Sequence, residues 1–271
     1  MRQMGRAKSI LVKPISSKAA SDLVRSVHYS GSTAANSQLH FGVFIDGRLQ
    51  GAMQFGPPID KSKLIGLVEG TGWNEFLELN RMAFSDMLPK NSESRALSIA
   101  FKIIRKNYPQ IKWVVSFSDA AQCGDGAIYR ASGFVLTGIK ENATIIRFPD
   151  GEAYASISIT NESGKNGSLK KKLCKKWGVL YFSGARVSPF FEIGAKPIPG
   201  LQLRYIYFLD PTARQRLTVP ILPFSEIEKR GAGMYRGKPK TSAGSSSVEH
   251  PTSGGEAGGS IPTPALNVSS V

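Results

Sequence analysis

The stretch SFSDAAQCGDGAIYRASGF, residues 116–134, gathers groups able to do chemistry into a short span. An apolar strand ends in Ser116, Ser118 and Asp119. A loop with Gly124 and Gly126 follows, then a short helix carrying Tyr129 and a Gly133-Phe134 exit. Three chemistries compete for such a loop: a metal clip on Cys123, a phosphate-binding loop, or the acyl-donor cleft of a transferase. The metal clip lacks partners. The chain has two cysteines and three histidines, with no CxxC and no HxxxH, so a structural zinc site is short of ligands. GxxxxGK[ST] is absent and no GxGxxG follows a strand, which removes the common nucleotide loops. Each glycine alone is an ordinary turn residue, Asp119 can close an Asx turn, and Tyr129 can be a core tyrosine.

Other reactive types lie at spacings that matter. Asn91, Ser92, Ser94 and Arg95 stand at the start of a helix. Helix N-termini expose unpaired N–H groups and hold anions, and Arg95 could add a fork of donors. A plain capped helix start is the competing reading. Glu78 and Asn80 lie two apart on a strand and should share a face. His28 and Tyr29 end the first helix. There His28 could carry protons near neutral pH, or simply face the helix dipole.

The elements that must position these groups are largely legible. Ser16 or Ser17 caps a helix with Ala20, Leu23, Val24 and Val27 on one face. LHFGVFIDGRLQGAMQFG is a hairpin around Asp46-Gly47. FLELNRMAF is a strand, and NSESRALSIAFKIIRKNYP an amphipathic helix capped by Asn91 or Ser92. IKWVVSFSD is a buried strand. FVLTGIK and TIIRF are two further strands. This order predicts a mixed α/β domain over residues 1–150. The stretch around 161–172 looks like a linker or exposed loop. That stretch falls in a basic, mostly β extension over residues 151–235, expected to pack on the first domain, and a Gly/Ser/Pro-rich tail, 236–271, is expected to be disordered.

Composition narrows the partners. Of 271 residues, 41% are hydrophobic, enough for a core, while the apolar runs are too short to span a bilayer. The basic N-terminus lacks the apolar segment of a secretory signal, and the two cysteines fit a reducing compartment. The net charge of +15 points to a polyanion, most often nucleic acid. Its basic residues include Lys170, Lys171 and Lys172 in a dense cluster over 165–176.

A strand, a loop, a helix with a tyrosine and a Gly-Phe exit resemble the end of the acyl-coenzyme A-dependent acetyltransferase fold, the GNAT superfamily. FLELNRMAFSDMLPKNSESRALS, IKWVVSFSDAAQCGDGAIYRASGFVLTGIKENAT and LQLRYIYFLDP together resemble the Mom family of phage DNA-modification proteins, over most of residues 20–235. The resemblance implies a mixed central sheet flanked by helices. It implies addition of a carbamoylmethyl group to adenine N6 in double-stranded DNA, which protects that DNA from host restriction in the cytoplasm of an infected bacterium. It implies acetyl-coenzyme A or a related acyl-coenzyme A as donor, held by Asn91, Ser92, Ser94 and Arg95, with Ser116, Gly124 and Gly126 beside it. Tyr129 becomes the candidate acid, and Asp119, Glu78 or His28 the candidate base. A paired adenine must be flipped out to be reached, and Tyr29, Trp73, Phe76, Phe117, Asn80 and Ser118 become candidate pocket contacts, with plain core positions the competing reading for Trp73 and Phe76. Lys170, Lys171 and Lys172 would hold the DNA backbone. A carbamoylmethyl product also needs a nitrogen source or a redox step, and an iron held by His28, Tyr29 or Asp119 is conceivable, although no 2-His-1-carboxylate spacing is present. No oligomeric state follows from the residues, and a dimer is compatible with them. Two other readings compete: an N-acetyltransferase for a protein or small-molecule amine, and a DNA-binding protein on an inactive transferase fold.

Overall fold

The computed structural model describes residues 6–28, 33–120, 125–160, 167–230, 233–235 and 238–240. β1 (Leu11–Pro14) leads into α1 (Ser17–Val27), and the Ser16 hydroxyl caps that helix by accepting the Ala19 N–H at 3.2 Å. The hairpin forms from β2 (Leu39–Ile45) and β3 (Arg48–Gly56). Asp46 and Gly47 have φ of 50° and 75°, as a type I′ turn requires. After a short α2 (Lys61–Leu64) comes β4 (Phe76–Phe84). α3 (Ser92–Asn107) then carries the chain back to β5 (Trp113–Asp119), parallel to β4. That parallel pair needs the long crossover that α3 supplies. α4 (Ala127–Ala131) leads to β6 (Val135–Arg147).

Beyond β6 the structure corrects several expectations. FVLTGIK and TIIRF are one strand, not two. The gap in their apolar pattern is a register shift between Asn142 and Ile145 rather than a turn. β7 (Ala153–Ala155), α5 (Ser156–Thr160) and α6 (Gly167–Trp177) follow. Part of the stretch expected as a linker is therefore helical. Leu169, Leu173, Cys174 and Trp177 recur at helical spacing and seat α6 on a small core with Ile146, Phe148 and Phe190. β8 (Lys196–Phe208) is expected in a C-terminal extension, yet it lies inside the main sheet. α7 (Ser225–Lys229) follows it, and β9 (Gly233–Tyr235) pairs with β10 (Lys238–Lys240). Residues 238–240 are thus an ordered part of the span expected as tail, while 241–271 lie outside the described residues.

The main sheet has the order β1-β2-β3-β4-β5-β8-β6-β7. β8 runs antiparallel to β5 on one side and to β6 on the other, so the sheet crosses the expected boundary at residue 150. Two helices cover opposite faces. α1 packs Ala20 and Val24 onto Ala52 and Ala83, small residues that let it lie close. α3 packs Ala96, Leu97, Ala100, Phe101 and Ile104 onto the other face, against Phe55, Leu77, Leu79 and Leu136. Among the described residues no helix is long and apolar enough to cross a membrane.

Candidate active site

β4 and β5 pair at only three positions, Phe76 with Trp113, Leu77 with Val114 and Glu78 with Val115. Beyond these, β4 stays with β3 and β5 turns to β8, so the strands part. The Ser116 hydroxyl donates across the start of the opening to the Leu79 carbonyl at 3.5 Å. A cavity of about 700 Å³ occupies the split, lined by His28, Glu78 to Phe84, Phe117 to Asp119, Asp125 to Tyr129 and strand residues that include Asn142. A gap between strands is a passage through the sheet. Tyr129 packs with the α3-side core, whereas α1, which ends at His28, lies on the other face.

On the α1 side the geometry depends on a bulge. Leu79 pairs with Phe55 and Arg81 with Gln54, which leaves Asn80 as an extra residue on β4. One extra residue reverses the alternation. Glu78 therefore shares its face with Arg81, not with Asn80 as strict alternation predicts. Burial drives the Glu78 carboxyl up to about 7, against the pull of the Arg81 guanidinium. Burial, with Arg81 adding to it, pushes the His28 imidazole down to about 4. His28 is thus neutral at pH 7 rather than a proton carrier there, and Glu78 is the group poised to titrate. The His28 backbone N–H donates to the Val24 carbonyl at 2.9 Å and closes α1. The Asn80 amide oxygen accepts from the Ser37 hydroxyl at 3.1 Å.

The opposite wall comes from β5 and α4. Asp119 accepts a hydrogen bond from the Asn142 amide at 3.3 Å, across the β8 strand that separates β5 from β6. Buried Asp125 caps α4 through the Ala127 N–H at 3.1 Å and pairs with Arg130. Gly126 has φ of 70°, and a Cβ there would lie 2.6 Å from the Tyr205 ring. That close approach is why glycine stands at this position. The Tyr205 hydroxyl donates to the Asp125 carbonyl, so the start of α4 is clamped from below. Tyr129 sits above, with ring centroids 5.1 Å from Tyr205 and 5.2 Å from Phe134.

α3 begins after the loop that follows β4, and its first residues are not part of the cavity lining. Asn91 is its N-cap, with φ of 69° and no side-chain cap bond. The Ser92 hydroxyl is buried and has no hydrogen-bond partner among the described residues. An orphaned buried hydroxyl at a helix N-terminus fits an anionic group such as the pyrophosphate of an acyl-coenzyme A. The Ser94 hydroxyl donates to the Asn91 carbonyl at 3.3 Å. Arg95 points elsewhere: its guanidinium reaches the Lys8 carbonyl at 3.4 Å.

Of the residues singled out in the sequence, His28, Glu78, Asn80, Phe117, Ser118, Asp119, Gly126 and Tyr129 line this one cavity. Tyr29, Cys123 and Gly124 lie outside the described residues. Trp73 is not a core residue: it is 58% exposed and belongs to a different cavity. Phe76 is a core residue, stacked on Trp113 at 4.2 Å. Lys170 is fully buried, its ammonium donating to the Gly184 carbonyl at 2.8 Å and lying 4.3 Å from the Phe182 ring centroid. It therefore offers no charge at the surface, while Lys171, Lys172 and Lys175 do. No group of three or more His, Cys, Asp or Glu placed to hold a metal ion occurs among the described residues. Arg81, Asp125 and Asn142 escaped the sequence reading. The bulge hides Arg81, Asp125 lies in a run that reads as a turn, and Asn142 reaches Asp119 only through the sheet.

The comparisons with known proteins agree with the sequence resemblance. The chain is 34% identical over 226 residues to the "Methylcarbamoylase mom" of Escherichia phage Mu, covering 82% of this chain and 85% of that protein. Among solved structures it is similar to the ribosomal-protein-S18-alanine N-acetyltransferase from Escherichia coli, at 9% identity and TM-score 0.40, covering 74% of this chain and 94% of that one. It is also similar to a GNAT family acetyltransferase from Elizabethkingia anophelis with acetyl-CoA bound, at 14% identity and TM-score 0.36, covering 54% and 93%. The model of the Mom protein family matches residues 9–226, and with the phage Mu relative this establishes that the chain belongs to the Mom protein family.

Proposed function

We propose that the chain is a DNA-modifying transferase that adds a methylcarbamoyl group to the exocyclic N6 of adenine, drawing carbon from an acyl-coenzyme A and so shielding phage DNA from restriction. The observation that carries this reading is the cavity at the β4–β5 split, which gathers Glu78, Asp119 and Tyr129 with His28 and Arg81. The phage Mu relative supplies the activity by its name, and the net charge of +15 suits a DNA substrate. A bound acyl-coenzyme A would supply an activated two-carbon unit, with Ser92 and the α3 N-terminus holding its pyrophosphate.

The chain's own residues divide the remaining work. Tyr129, on the α3 side, holds a proton on its hydroxyl for a departing group. Asp119, fixed by Asn142, accepts a proton from the adenine amino group. Glu78 is about half protonated near pH 7 and can hold or release the proton that the amino group loses. A flipped adenine enters from the α1 side, and Asn80 and Ser118, which line the same cavity, can meet its polar edge. The amide of a carbamoylmethyl group lies at its far end, so ammonia or an amine donor must replace the thiolate at the carbonyl, and an external two-electron acceptor must take up the electrons of the methyl C–H bond that the N6–carbon bond replaces. Mass spectrometry of nucleosides from plasmid DNA of cells expressing the chain tests the reading. A deoxyadenosine heavier by a carbamoylmethyl group, absent with Tyr129→Phe, is expected. Unmodified deoxyadenosine from soluble, folded protein, together with acetylation of a free amine by acetyl-coenzyme A, would overturn it in favour of an amine N-acetyltransferase.

A further inference from the structure

A second cavity, of about 750 Å³, opens at the other end of the β4–β5 pair, lined in part by Phe76, Leu77 and Ile111. Among the described residues its lining holds no acidic group, and Lys61 is its charged one. Lys61 is only 9% exposed. Its ammonium lies 4.8 Å from the Trp73 ring centroid and 5.5 Å from that of Phe76. The Asn74 amide oxygen accepts from it at 3.4 Å, the long end of a hydrogen bond. A confined ammonium with one long hydrogen bond and no carboxylate in its described lining favours an incoming anion. Trp73 is 58% exposed, so its indole offers solvent a flat apolar surface beside that charge. The Gln38 and Gln110 amides border the same space.

An anion site beside an open indole matches the two halves of a nucleotide. We infer that this cavity holds a nucleotide of the DNA strand flanking the target adenine, its base stacked on Trp73 and its phosphate against Lys61. The inference rests on the DNA reading above and adds to it a place that grips the strand without doing chemistry. β4 links the two sites. Leu77 lines one and Glu78 to Phe84 line the other, so the two follow one another along the strand, and a few nucleotides span both. Stacking on an aromatic ring serves any base, so this interaction contributes affinity and register rather than sequence choice.

The test uses the full chain and a short oligo-dT strand, which has no adenine for the catalytic cavity. Tryptophan fluorescence should be quenched on titration at low salt, because Trp73 is exposed while Trp113 is buried and Trp177 is stacked on Phe148 in the small core. Trp73→Ala should abolish the quench and weaken binding by roughly 5- to 100-fold. Trp73→Phe, measured by anisotropy of labelled oligo-dT, should restore most of that affinity. Lys61→Met should lower the dependence of log K on log salt by about 0.7. Melting curves close to the parent's establish that the variants are folded, as expected for the exposed Trp73 and for a Met that keeps the apolar stem of the buried Lys61. Unchanged oligo-dT affinity in Trp73→Ala overturns the inference. So does quenching by dTMP alone at the same concentration as oligo-dT, which would make the occupant a free nucleotide. Modified deoxyadenosine without any Trp73 quench would sink this site and leave the proposed activity standing. A quench without modification would do the reverse.

Discussion

Two cavities share the strand β4, and they are built from opposite materials. Glu78 to Phe84 line the first, together with Asp119, Asp125, His28 and Arg81. Phe76 and Leu77 line the second, with one lysine, an exposed indole and neutral amides. The first arises where β4 and β5 have parted, and its carboxyl and imidazole have lost water. The second lies where the strands are still paired, and its surface is flat and aromatic. Perturbed acids and bases cluster where protons must move. A stacking platform with a single cation suits grip alone. The contrast matches the two proposed roles, chemistry at the split end of the pair and strand binding at the closed end.

Several changes would separate or merge these roles. Tyr129→Phe and Asp119→Asn should each lower the modified fraction of deoxyadenosine by about 100-fold or more, and leave Trp73 quenching by oligo-dT unchanged. Loss of both readouts together would merge the cavities into one site.

The charges of the first cavity leave a second signature, in stability. From about 4.5 to about 7 the folded chain holds a proton on Glu78 that the unfolded chain has released, so Glu78 makes stability fall as pH rises. From about 4 to about 6.5 the unfolded chain protonates His28 while the folded chain does not, so His28 makes stability rise with pH. The two slopes cancel over the shared window. Glu78→Gln should therefore unmask the rise, and His28→Gln the fall, each by up to about 3 kcal/mol across its window. Denaturant melts at three pH values measure this, and parallel profiles for the two variants would refute it.

Gly126→Ala should lower stability by roughly 1–3 kcal/mol, because the left-handed backbone and the Tyr205 ring both oppose a Cβ. It should also reduce modification by shifting Tyr129, with the second cavity untouched. The smallest effect belongs to the surface. Neutralising Lys171, Lys172 and Lys175 to Gln should cut the salt slope of duplex binding by about 0.9 for each phosphate that these lysines no longer neutralise. Lys170→Met should change the melting temperature and not that slope.

What the sequence disclosed follows from how local each feature is. The β2–β3 hairpin and α3 were legible because a turn dipeptide and a 3.6-residue period act within a few residues. Glu78, Phe117, Ser118, Asp119, Gly126 and Tyr129 lie on β4, on β5 or at the start of α4, where position along an element already says what faces what. Arg81 was hidden because one extra residue, Asn80, reverses the alternation, and the pairing that makes it extra sits on β3. Lys170 was misread although its signal was present: it stands three and four residues before Leu173 and Cys174, on the apolar face of α6. The place of β8 had no local signal. Its alternation is that of any strand, and only its pairing with β5 and β6 decides that it belongs in the middle of the sheet.

That place has a consequence for how the chain is born. Until residues 196–208 leave the ribosome, the nascent protein holds two half-sheets, β1 to β5 and β6 with β7, which only β8 joins. At ordinary synthesis rates this interval lasts on the order of seconds, with the edges of β5 and β6 both unpaired. The wall of the proposed catalytic cavity that depends on Tyr205 is missing throughout. Translation thus delivers the keystone late.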